Sequence, residues 1–470
     1  MVQEKTSHLH IAMFPWFATG HITPFLQLSN KLAEKGHQIS FLLPNKARIQ
    51  LNYMNLHPNL ITFHSLTVPP VEGLPPGAET ASDVPIYLTT LLAAALDLMI
   101  GQVKELLVKL NPDVVFYDMA HWIPELASEI GFKTVHYNVV CAASIAIALV
   151  PSRKISKNRV ISDEELMEPP TGYPSSTIVL RKHEAKSLSF ISLEFGKGIS
   201  FYERITNCLM KCDAISIRTC RELEGSLCDY ISREYEKPVF LTGPVLPESG
   251  KQHLEDQWAN WLNKFEPGTV VFCAFGSQVV LEKKQFQELV LGFELTGRPF
   301  LVALKPPSGA TTIEEALPEG FEDRVRGRGI VHGGWIQQPA ILSHPSVGCF
   351  VNHCGFGSMW ESLMSNCQIV LIPHLGDQIL NTRLLAEELK VAVEVERDEN
   401  GWFSKENLSR AIRCVMVEDS KVGDLVKENH GKWSEFIARE CFMSEFIEKF
   451  IQNLDTLVAD KKESKMRNVL

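Results

Sequence analysis

The stretch HCGFGSMWES at residues 353–362 places a histidine, a cysteine and two glycines directly before a helix-like run. Three interpretations fit these residue types. His353 and Cys354 are both of metal-ligand type, whereas a glycine-rich corner is also typical of a tight turn with no further role. The third interpretation is an anion cradle, in which backbone N–H groups at the start of a helix face a phosphate. These ten residues alone do not decide between the three.

Two further residues with ionisable side chains, His21 and Asp118, lie at the ends of predicted strands. His21 follows the first predicted strand, within FPWFATGHITPF, and Asp118 ends the apolar run VVFYD. Each residue has an ordinary explanation by itself. A histidine there more often packs at a helix start, and an aspartate at a strand end caps the next helix.

The elements that position these residues alternate between short apolar runs and amphipathic stretches. Such alternation predicts an α/β protein with mostly parallel sheets covered on both faces, and ligands bind at the carboxyl ends of such strands. A polar segment rich in Pro and Gly, at 244–257, predicts an interdomain linker. The predicted strands are 8–15, 37–44, 59–66, 113–118, 132–138 and 213–219 before the linker, and 269–277, 299–304, 329–333, 347–353 and 368–373 after it.

Length and composition narrow the class of protein. The chain has 470 residues, too many for one ordinary core, which predicts two domains. A net charge of −10 leaves no basic footprint for nucleic acid or an anionic membrane. The N-terminus lacks a signal-peptide core, no apolar run is long enough to span a membrane, and eleven cysteines without a CxxC pair suit reduced thiols. We therefore expect a cytoplasmic protein.

Two familiar nucleotide-binding signatures are missing. No GxGxxG follows the first predicted strand, and no GxxxxGK[ST] occurs in the chain. Their absence argues against a nicotinamide-dependent oxidoreductase and against a P-loop enzyme, despite the α/β alternation.

The stretch from Trp335 to Gln378 resembles the 44-residue signature box of plant small-molecule UDP-glycosyltransferases. The GH after strand one, the FYD that ends at 118 and GPVLP at the linker extend the resemblance over essentially the whole chain. The residues that match the box are Trp335, Gln338, Pro339, His344, His353, Cys354, Gly355, Ser358, Glu361, Pro373, Asp377 and Gln378.

The resemblance implies a GT-B fold, in which two Rossmann-like doubly wound domains face each other across a cleft. By this resemblance, residues 1–243 form an acceptor-binding domain and 244–257 the linker. Residues 258–425 then form the UDP-sugar-binding domain, and the helical segment 426–470 packs back on the N-terminal domain. We expect a monomer.

The resemblance also assigns roles within the box. Trp335 stacks on uracil, which is worth ~1–3 kcal/mol, and Glu361 accepts hydrogen bonds from the ribose hydroxyls. The diphosphate meets His353, Ser358 and the amides after Gly355, so the cradle interpretation is preferred, since no further metal ligands lie at recognisable spacing. The donor-binding residues predicted in full are Ser277, Trp335, Ile336, Gln338, His353, Gly355, Gly357, Ser358, Glu361, Asp377 and Gln378.

The box departs from the common family pattern at two positions. Phe356 stands where many members have Trp, and Gly357 stands where many have an Asn that contacts phosphate. That contact must then come from the backbone or from Ser277. HCGFGSMWES is similar to the branch-forming subgroup, whose members glycosylate a sugar that is already attached to an aglycone.

For catalysis, the resemblance makes His21 the general base and Asp118 its orienting partner, in a single inverting displacement that requires no divalent metal. Asp377 and Gln378 would hold the transferred sugar. Acceptor contacts are predicted on loops at the same sheet edge, at Phe17, Thr19, Trp122 and Asn138.

The expected reaction transfers a sugar from UDP-glucose or UDP-rhamnose to a sugar hydroxyl of a plant phenolic glycoside of the flavonoid, anthocyanin or phenylethanoid type. Two alternatives are transfer directly to an aglycone hydroxyl and a UDP-sugar-binding protein without turnover. The sequence does not choose the donor sugar, the acceptor or the linkage position.

Overall fold

The computed structural model describes residues 8–156, 159–245, 254–276, 279–417, 420–439 and 441–467. Two of the predicted features, Ser277 and most of the linker at 244–257, lie outside these residues. The chain divides into two compact units. The first comprises Met1–Pro174, Ser189–Pro247 and Cys441–Leu470, and the second comprises Ser175–Leu188 and Glu248–Glu440.

The first unit is built on a seven-stranded parallel sheet in the order β3-β2-β1-β4-β5-β6-β7. The strand order reverses direction between β1 and β4, which makes their carboxyl ends the place where a doubly wound sheet binds ligands. The strands are β1 (His10–Phe14), β2 (Gln38–Pro44), β3 (Ile61–Leu66), β4 (Val114–Tyr117), β5 (Lys133–Asn138), β6 (Ala214–Ile217) and β7 (Val239–Leu241).

Helices cover this sheet. The last of them, α19, returns to it from the end of the chain, and the Phe450 ring lies 6.0 Å from that of Phe116 on β4. The helices are α1 (Thr19–Glu34), α2 (Asn45–Leu51), α3 (Thr89–Leu98), α4 (Ile100–Leu110), α5 (Ile123–Ile130), α6 (Ala142–Ala148), α7 (Asp163–Met167), α9 (Phe201–Lys211), α10 (Arg221–Tyr235) and α19 (Phe442–Arg467).

The second unit has a six-stranded parallel sheet in the order β10-β9-β8-β11-β12-β13, which reverses between β8 and β11. Its strands are β8 (Val270–Ala274), β9 (Phe300–Ala303), β10 (Gly329–His332), β11 (Val347–Asn352), β12 (Gln368–Leu371) and β13 (Ala392–Glu394). Its helices are α8 (Lys182–Ala185), α11 (Asp256–Leu262), α12 (Lys283–Thr296), α13 (Phe321–Val325), α14 (Gln338–Leu342), α15 (Phe356–Met364), α16 (Gly376–Arg383) with a π-helical turn at Leu384–Glu388, α17 (Lys405–Met416) and α18 (Lys421–Ile437).

The residues of β8 show why an apolar run becomes a central strand. Every residue of this strand, VVFCA, is buried. Val271 and Cys273 belong to one hydrophobic cluster, whereas Val270 and Phe272 belong to another on the opposite face. Because successive side chains of a strand point to opposite faces, a continuous apolar run satisfies a sheet that is covered on both sides. The predicted α/β class with two doubly wound parallel sheets is confirmed.

The unit boundaries differ from the predicted domains at two places. Residues 175–188 precede β6 in the chain, yet they belong to the second unit. The predicted C-terminal segment, 426–470, is divided: α18 lies in the second unit and α19 in the first. Short 3₁₀ turns occur at Asn52–Met54, Ala81–Asp83, Ile86–Leu88, Pro151–Arg153, Lys186–Ser192 and Glu314–Ala316.

Within the described residues, no single helix combines the length and the apolar composition needed to cross a bilayer. One pair of helical segments, Ile86–Leu98 and Ile100–Leu110, meets the length and composition criteria jointly, although the two are bent by 49°.

Candidate active site

His21 and Asp118 meet at the point where the first sheet reverses its order. His21 lies in the first turn of α1, which follows β1, and Asp118 directly follows β4, the neighbour of β1. The two side chains form a hydrogen bond of 2.6 Å between Nδ1 of His21 and Oδ2 of Asp118. The other carboxylate oxygen, Oδ1, accepts hydrogen bonds of 2.7 Å from the backbone amides of Trp16 and Met119. Asp118 is therefore locked in place.

This bonding pattern determines which nitrogen of His21 is available. An ionised carboxylate only accepts hydrogen bonds, so Nδ1 of His21 carries the proton and Nε2 holds the lone pair. The His21 side chain is 22% exposed, whereas that of Asp118 is only 5% exposed. A buried carboxylate that holds an accessible imidazole in one tautomer is the arrangement of a general base and its orienting residue.

His136, on β5 beside β4, supports Asp118 from the other side and was not predicted from the sequence. It is completely buried, and its Nε2 lies 3.0 Å from the backbone carbonyl oxygen of Asp118. Burial lowers the pKa of His136 to about 4, so the ring is neutral near pH 7 and its Nε2–H donates a hydrogen bond to that carbonyl. The sequence predicts a strand over 132–138 but not its partner, and in the structure His136 lies opposite Tyr117, the residue before Asp118.

The four predicted acceptor residues have different environments. Thr19, at the start of α1, is exposed. Phe17 is fully buried and stacks on Trp16 at a centroid distance of 6.0 Å. Trp122 is 4% exposed, and Asn138 donates from Nδ2 to the Val140 carbonyl. Thr19 thus presents its side chain to solvent, while the other three are packed.

In the second unit, the corner at 353–358 joins β11 to α15 and is held by two asparagines. Cys354 adopts a left-handed backbone conformation with φ of 58°, which is unusual for a residue with a side chain. Its amide donates to Oδ1 of Asn352, and its carbonyl accepts from Nδ2 of Asn381, both over 2.8 Å. Neither asparagine was predicted to hold this corner. Asn381 in particular lies 27 residues from Cys354 in the chain, so no local pattern connects the two.

The glycines of this corner make room for an imidazole ring. A Cβ atom on Gly355 would lie 2.6 Å from Nε2 of His353, and one on Gly276 would lie 3.1 Å from Cε1 of the same ring. Glycine at both positions therefore leaves the space that the His353 ring occupies. His353 is 9% exposed, and burial lowers its pKa to about 4. Its Nδ1 has no hydrogen-bond partner among the residues that the structure describes.

The first turn of α15 has backbone amides that cannot donate to a carbonyl within the helix, as at every helix start. Its N-cap is Gly355, it carries no acidic side chain, and Gly357 is exposed, with no atom within 4 Å of the point that a Cβ would occupy. Ser358 is half-buried. The free N–H groups of a helix start and the helix dipole both favour an anion there. Burial raises the pKa of the Cys354 thiol, and we find no group of three metal-ligand side chains among the described residues.

Trp335 and Glu361 lie on neighbouring elements of the same unit. Trp335 is 71% exposed, which is unusual for an indole and leaves its flat face accessible. Gln338 donates from Nε2 to Oε2 of Glu361 and so joins α14 to α15. Ile336 is also predicted to bind the donor. Its side chain is only 6% exposed and belongs to a hydrophobic cluster.

Gln378 and Asp377 open α16. Oε1 of Gln378 accepts hydrogen bonds of 3.0 Å from the amides of His374 and Leu375, so only its Nε2 remains to contact a ligand. Asp377 is half-buried and has partners of its own. His374 lies on the same loop: burial lowers its pKa to about 3, and its ring lies 5.0 Å from that of Phe275.

Comparison with known proteins identifies the chain. A family model described as UDP-glucoronosyl and UDP-glucosyl transferase matches residues 247–448. An Arabidopsis thaliana protein named anthocyanidin 3-O-glucoside 2'''-O-xylosyltransferase is 60% identical over 97% of this chain and 98% of its own. The chain belongs to the UDP-glycosyltransferase family. It is also similar to UDP-glycosyltransferase 79B6 of the same plant, which is 58% identical over 96% of this chain and 98% of its own.

Solved structures show the same fold as this UDP-glycosyltransferase. Arabidopsis thaliana UGT89C1 complexed with UDP-L-rhamnose covers 97% of this chain and 100% of its own, with a TM-score of 0.73 and 21% identity. Glycyrrhiza uralensis UGT73P12 complexed with glycyrrhetinic acid 3-O-monoglucuronide covers 98% and 99%, with a TM-score of 0.78 and 19% identity. The predicted GT-B fold and the predicted activity, a UDP-dependent glycosyltransferase, are both confirmed.

The loop before Gln378 of this UDP-glycosyltransferase is tied to a buried cluster of charges. Arg397 donates from Nη1 to the Pro373 carbonyl over 3.0 Å and from Nη2 to Glu184 and Glu394, both over 2.8 Å. Glu184 is completely buried and also accepts from Arg383. Burial by itself raises the pKa of Glu184, but the two arginines reverse this effect and lower it overall.

Proposed function

We propose that the enzyme transfers a sugar from a UDP-sugar, with inversion, to a hydroxyl of a sugar that is already part of a plant phenolic glycoside. The observation that carries the transfer step is the His21–Asp118 hydrogen bond, because it leaves Nε2 of His21 as an accessible base. The glycoside acceptor is supported by the 60% identical relative, whose name places its reaction on an anthocyanidin 3-O-glucoside.

In the proposed step, Nε2 of His21 accepts the proton of the acceptor hydroxyl while that oxygen attacks the anomeric carbon of the donor. The bond from this carbon to the UDP oxygen breaks on the opposite face, so the configuration inverts. Asp118 stabilises the imidazolium that forms, and the proton later passes to solvent. A positioned base of this type contributes ~10²–10⁴-fold to the rate.

The corner at 353–358 is proposed to bind the diphosphate that leaves. The amides of the first turn of α15, with Ser358, face the developing negative charge. His353 is neutral near pH 7, so it contributes a hydrogen bond rather than a full charge. Trp335 is proposed to stack on uracil and Glu361 to bind the ribose. We propose that no divalent metal takes part.

The donor sugar is proposed to be glucose or rhamnose, held by Asp377 and Gln378. Since Oε1 of Gln378 already accepts two backbone hydrogen bonds, the amide can offer a sugar only the donor group at Nε2. The partner of Gln378 on the sugar is therefore a hydroxyl that accepts a hydrogen bond.

We further propose that the enzyme works as a monomer in the cytoplasm. All eleven cysteines are free thiols, and nine of them are buried, which agrees with a reducing compartment.

A panel of UDP-sugars assayed against matched pairs of a phenolic glycoside and its aglycone tests the proposed function. UDP release coupled to a new glycosidic bond, mapped by NMR to a sugar hydroxyl, is the expected result. A product linked to the aglycone in preference to the glycoside would contradict the branch-forming proposal. Binding of UDP-sugars without turnover on any acceptor would favour the non-catalytic alternative.

A further inference from the structure

The first unit contains a cavity of about 500 Å³ that lies beside the turn after β4. Its lining includes His121 and Trp122, which follow Asp118 by three and four residues, but neither His21 nor Asp118. A cavity of this volume lies within the range of small-molecule sites. The cavity is therefore distinct from the His21–Asp118 pair, although the same turn of the chain forms part of its wall.

Behind the lining residues Asp97 and Trp122 lies a buried polar network that holds them in place. Arg204 is completely buried and donates from Nη1 to Oδ1 of Asp97 over 2.9 Å, while Trp122 donates to the same oxygen over 3.3 Å. A Cβ atom on Gly196, whose φ is +99°, would lie 2.9 Å from Oδ2 of Asp97 and closer still to Arg204. Only glycine fits there, and the wall is consequently preformed.

His121 presents a hydrogen-bond donor from this wall. Nη1 of Arg204 lies 3.2 Å from Nδ1 of His121, and a guanidinium can only donate, so Nδ1 is the acceptor nitrogen. Burial lowers the pKa of His121, and the nearby positive charge of Arg204 lowers it further. The ring is therefore neutral near pH 7 and carries its proton on Nε2.

The outer wall adds further hydrogen-bonding groups of both kinds. Glu203 uses Oε2 to cap α9 through Ser200, which leaves Oε1 as an acceptor. In the part of the chain that the structure describes, no hydrogen bond engages the side chains of Lys197 and Asn207. Ile199 supplies a half-buried apolar surface between these groups.

The charges around the cavity balance. Asp97 is paired with Arg204, and Glu203 is offset by Lys197, so neither an anion nor a cation is favoured as the occupant. An apolar occupant would displace water from these donors and acceptors and offer them no partner in return, which is costly. A neutral molecule with several hydroxyl groups and an apolar C–H face satisfies all of these groups.

We propose that this cavity is a saccharide-binding site that takes one neutral pyranose ring. The ring is either the glycosidic sugar of an acceptor or a free monosaccharide. The site goes beyond the proposed transfer reaction, because a sugar can occupy it whether or not transfer takes place. Arg204 donates to the Met119 carbonyl over 3.0 Å, so an occupant of the cavity also contacts the network that holds the residue after Asp118.

The test measures binding of methyl β-D-glucopyranoside to the full chain. Saturation-transfer difference NMR detects the binding, in the presence of saturating UDP. We expect a dissociation constant on the order of 1 mM, which is typical of a small polar ligand. Asn207→Leu removes a polar group at the cavity and should weaken binding at least tenfold. Asn453→Leu makes the same change on α19, away from the cavity, and should leave binding as it is.

A second variant, Lys197→Met, lies in an exposed segment and covers the case in which Asn207→Leu does not fold. If a phenolic glycoside competes with the methyl glucoside, and Asn207→Leu raises the KM for that glycoside, the site binds the acceptor sugar. If the phenolic glycoside does not compete, the site binds a free sugar. Absent binding, or binding that both variants leave unchanged, would overturn the proposal. Failure of glycoside transfer alone would contradict the proposed function but not this site.

Discussion

Arg397 donates from Nη1 to the carbonyl oxygen of Pro373 over 3.0 Å, and this bond connects the loop before Gln378 to the buried carboxylate of Glu184. Glu184 and Arg397 are 213 residues apart in the chain. The carboxylate of Glu184 forms ion pairs with both Arg383 and Arg397. Glu184 is therefore the centre of the network that holds segment 175–188 on the second unit.

Glu184→Gln should destabilise the second unit by about 3–5 kcal/mol, because it leaves two buried guanidinium groups short of a negative charge. Urea unfolding monitored by tryptophan fluorescence measures the effect. Glu428→Gln, which removes an exposed ion pair with Lys432 on α18, is the control and should change stability by less than about 1 kcal/mol. Equal stability of Glu184→Gln and the parent would contradict this interpretation of the network.

The ion pairs of Glu184 also predict a pH dependence. The folded-state pKa of Glu184 lies below its ordinary value of 4.5, so the unfolded chain binds its proton more readily. The stabilisation is therefore present above pH 4.5 and is lost as the pH falls below that value. Unfolding at pH 6 and pH 4 should show a larger loss on acidification in the parent than in Glu184→Gln.

His21→Ala should lower turnover by ~10²–10⁴-fold and leave UDP affinity unchanged, since the base acts on the acceptor. The effect of Asp118→Ala should not add to it, because the carboxylate acts through the same imidazole. Steady-state kinetics and calorimetry with UDP measure the two quantities. His57→Ala, a half-buried histidine elsewhere in the first unit, is the matched control. Near-parental turnover of His21→Ala would remove this residue from the mechanism.

Gly355→Val should weaken UDP binding by roughly tenfold or more, because its Cβ would displace the His353 ring and lengthen bonds to a charged ligand. Calorimetry with UDP and thermal unfolding separate binding from folding. Gly431→Ala lies in α18 with nothing within 4 Å of its Cβ position, and it should bind UDP like the parent. A folded Gly355→Val enzyme with unchanged UDP affinity, or activity abolished by EDTA, would contradict the cradle.

Trp335→Ala should leave stability unchanged, because the side chain is 71% exposed, but it should weaken UDP binding by ~1–3 kcal/mol through loss of base stacking. Trp402→Ala, at 37% exposure in the same unit, is the control for removing a surface indole. Equal UDP affinities of the two variants would count against stacking at Trp335.

The sequence by itself determined the alternation of the fold, and its resemblance to a known family singled out His21 and Asp118. All eleven predicted strands are present, since continuous apolar runs identify buried parallel strands. The two strands that were missed, β7 and β13, are three-residue edge strands, which are too short to show a pattern. The structure brings the two side chains together because His21 and Asp118 follow adjacent parallel strands, whose carboxyl ends lie at one sheet edge.

Only the tertiary structure decided the rest, because local patterns report burial and not which distant side chains meet. The placement of Glu184 in the second unit depends on partners about 200 residues away. The close approach of Gly355 to the His353 ring depends on the geometry of one turn. The burial of the Ile336 side chain in a hydrophobic cluster depends likewise on the packing of distant residues. The cavity beside Trp122 is likewise formed by helices that no local periodicity brings together.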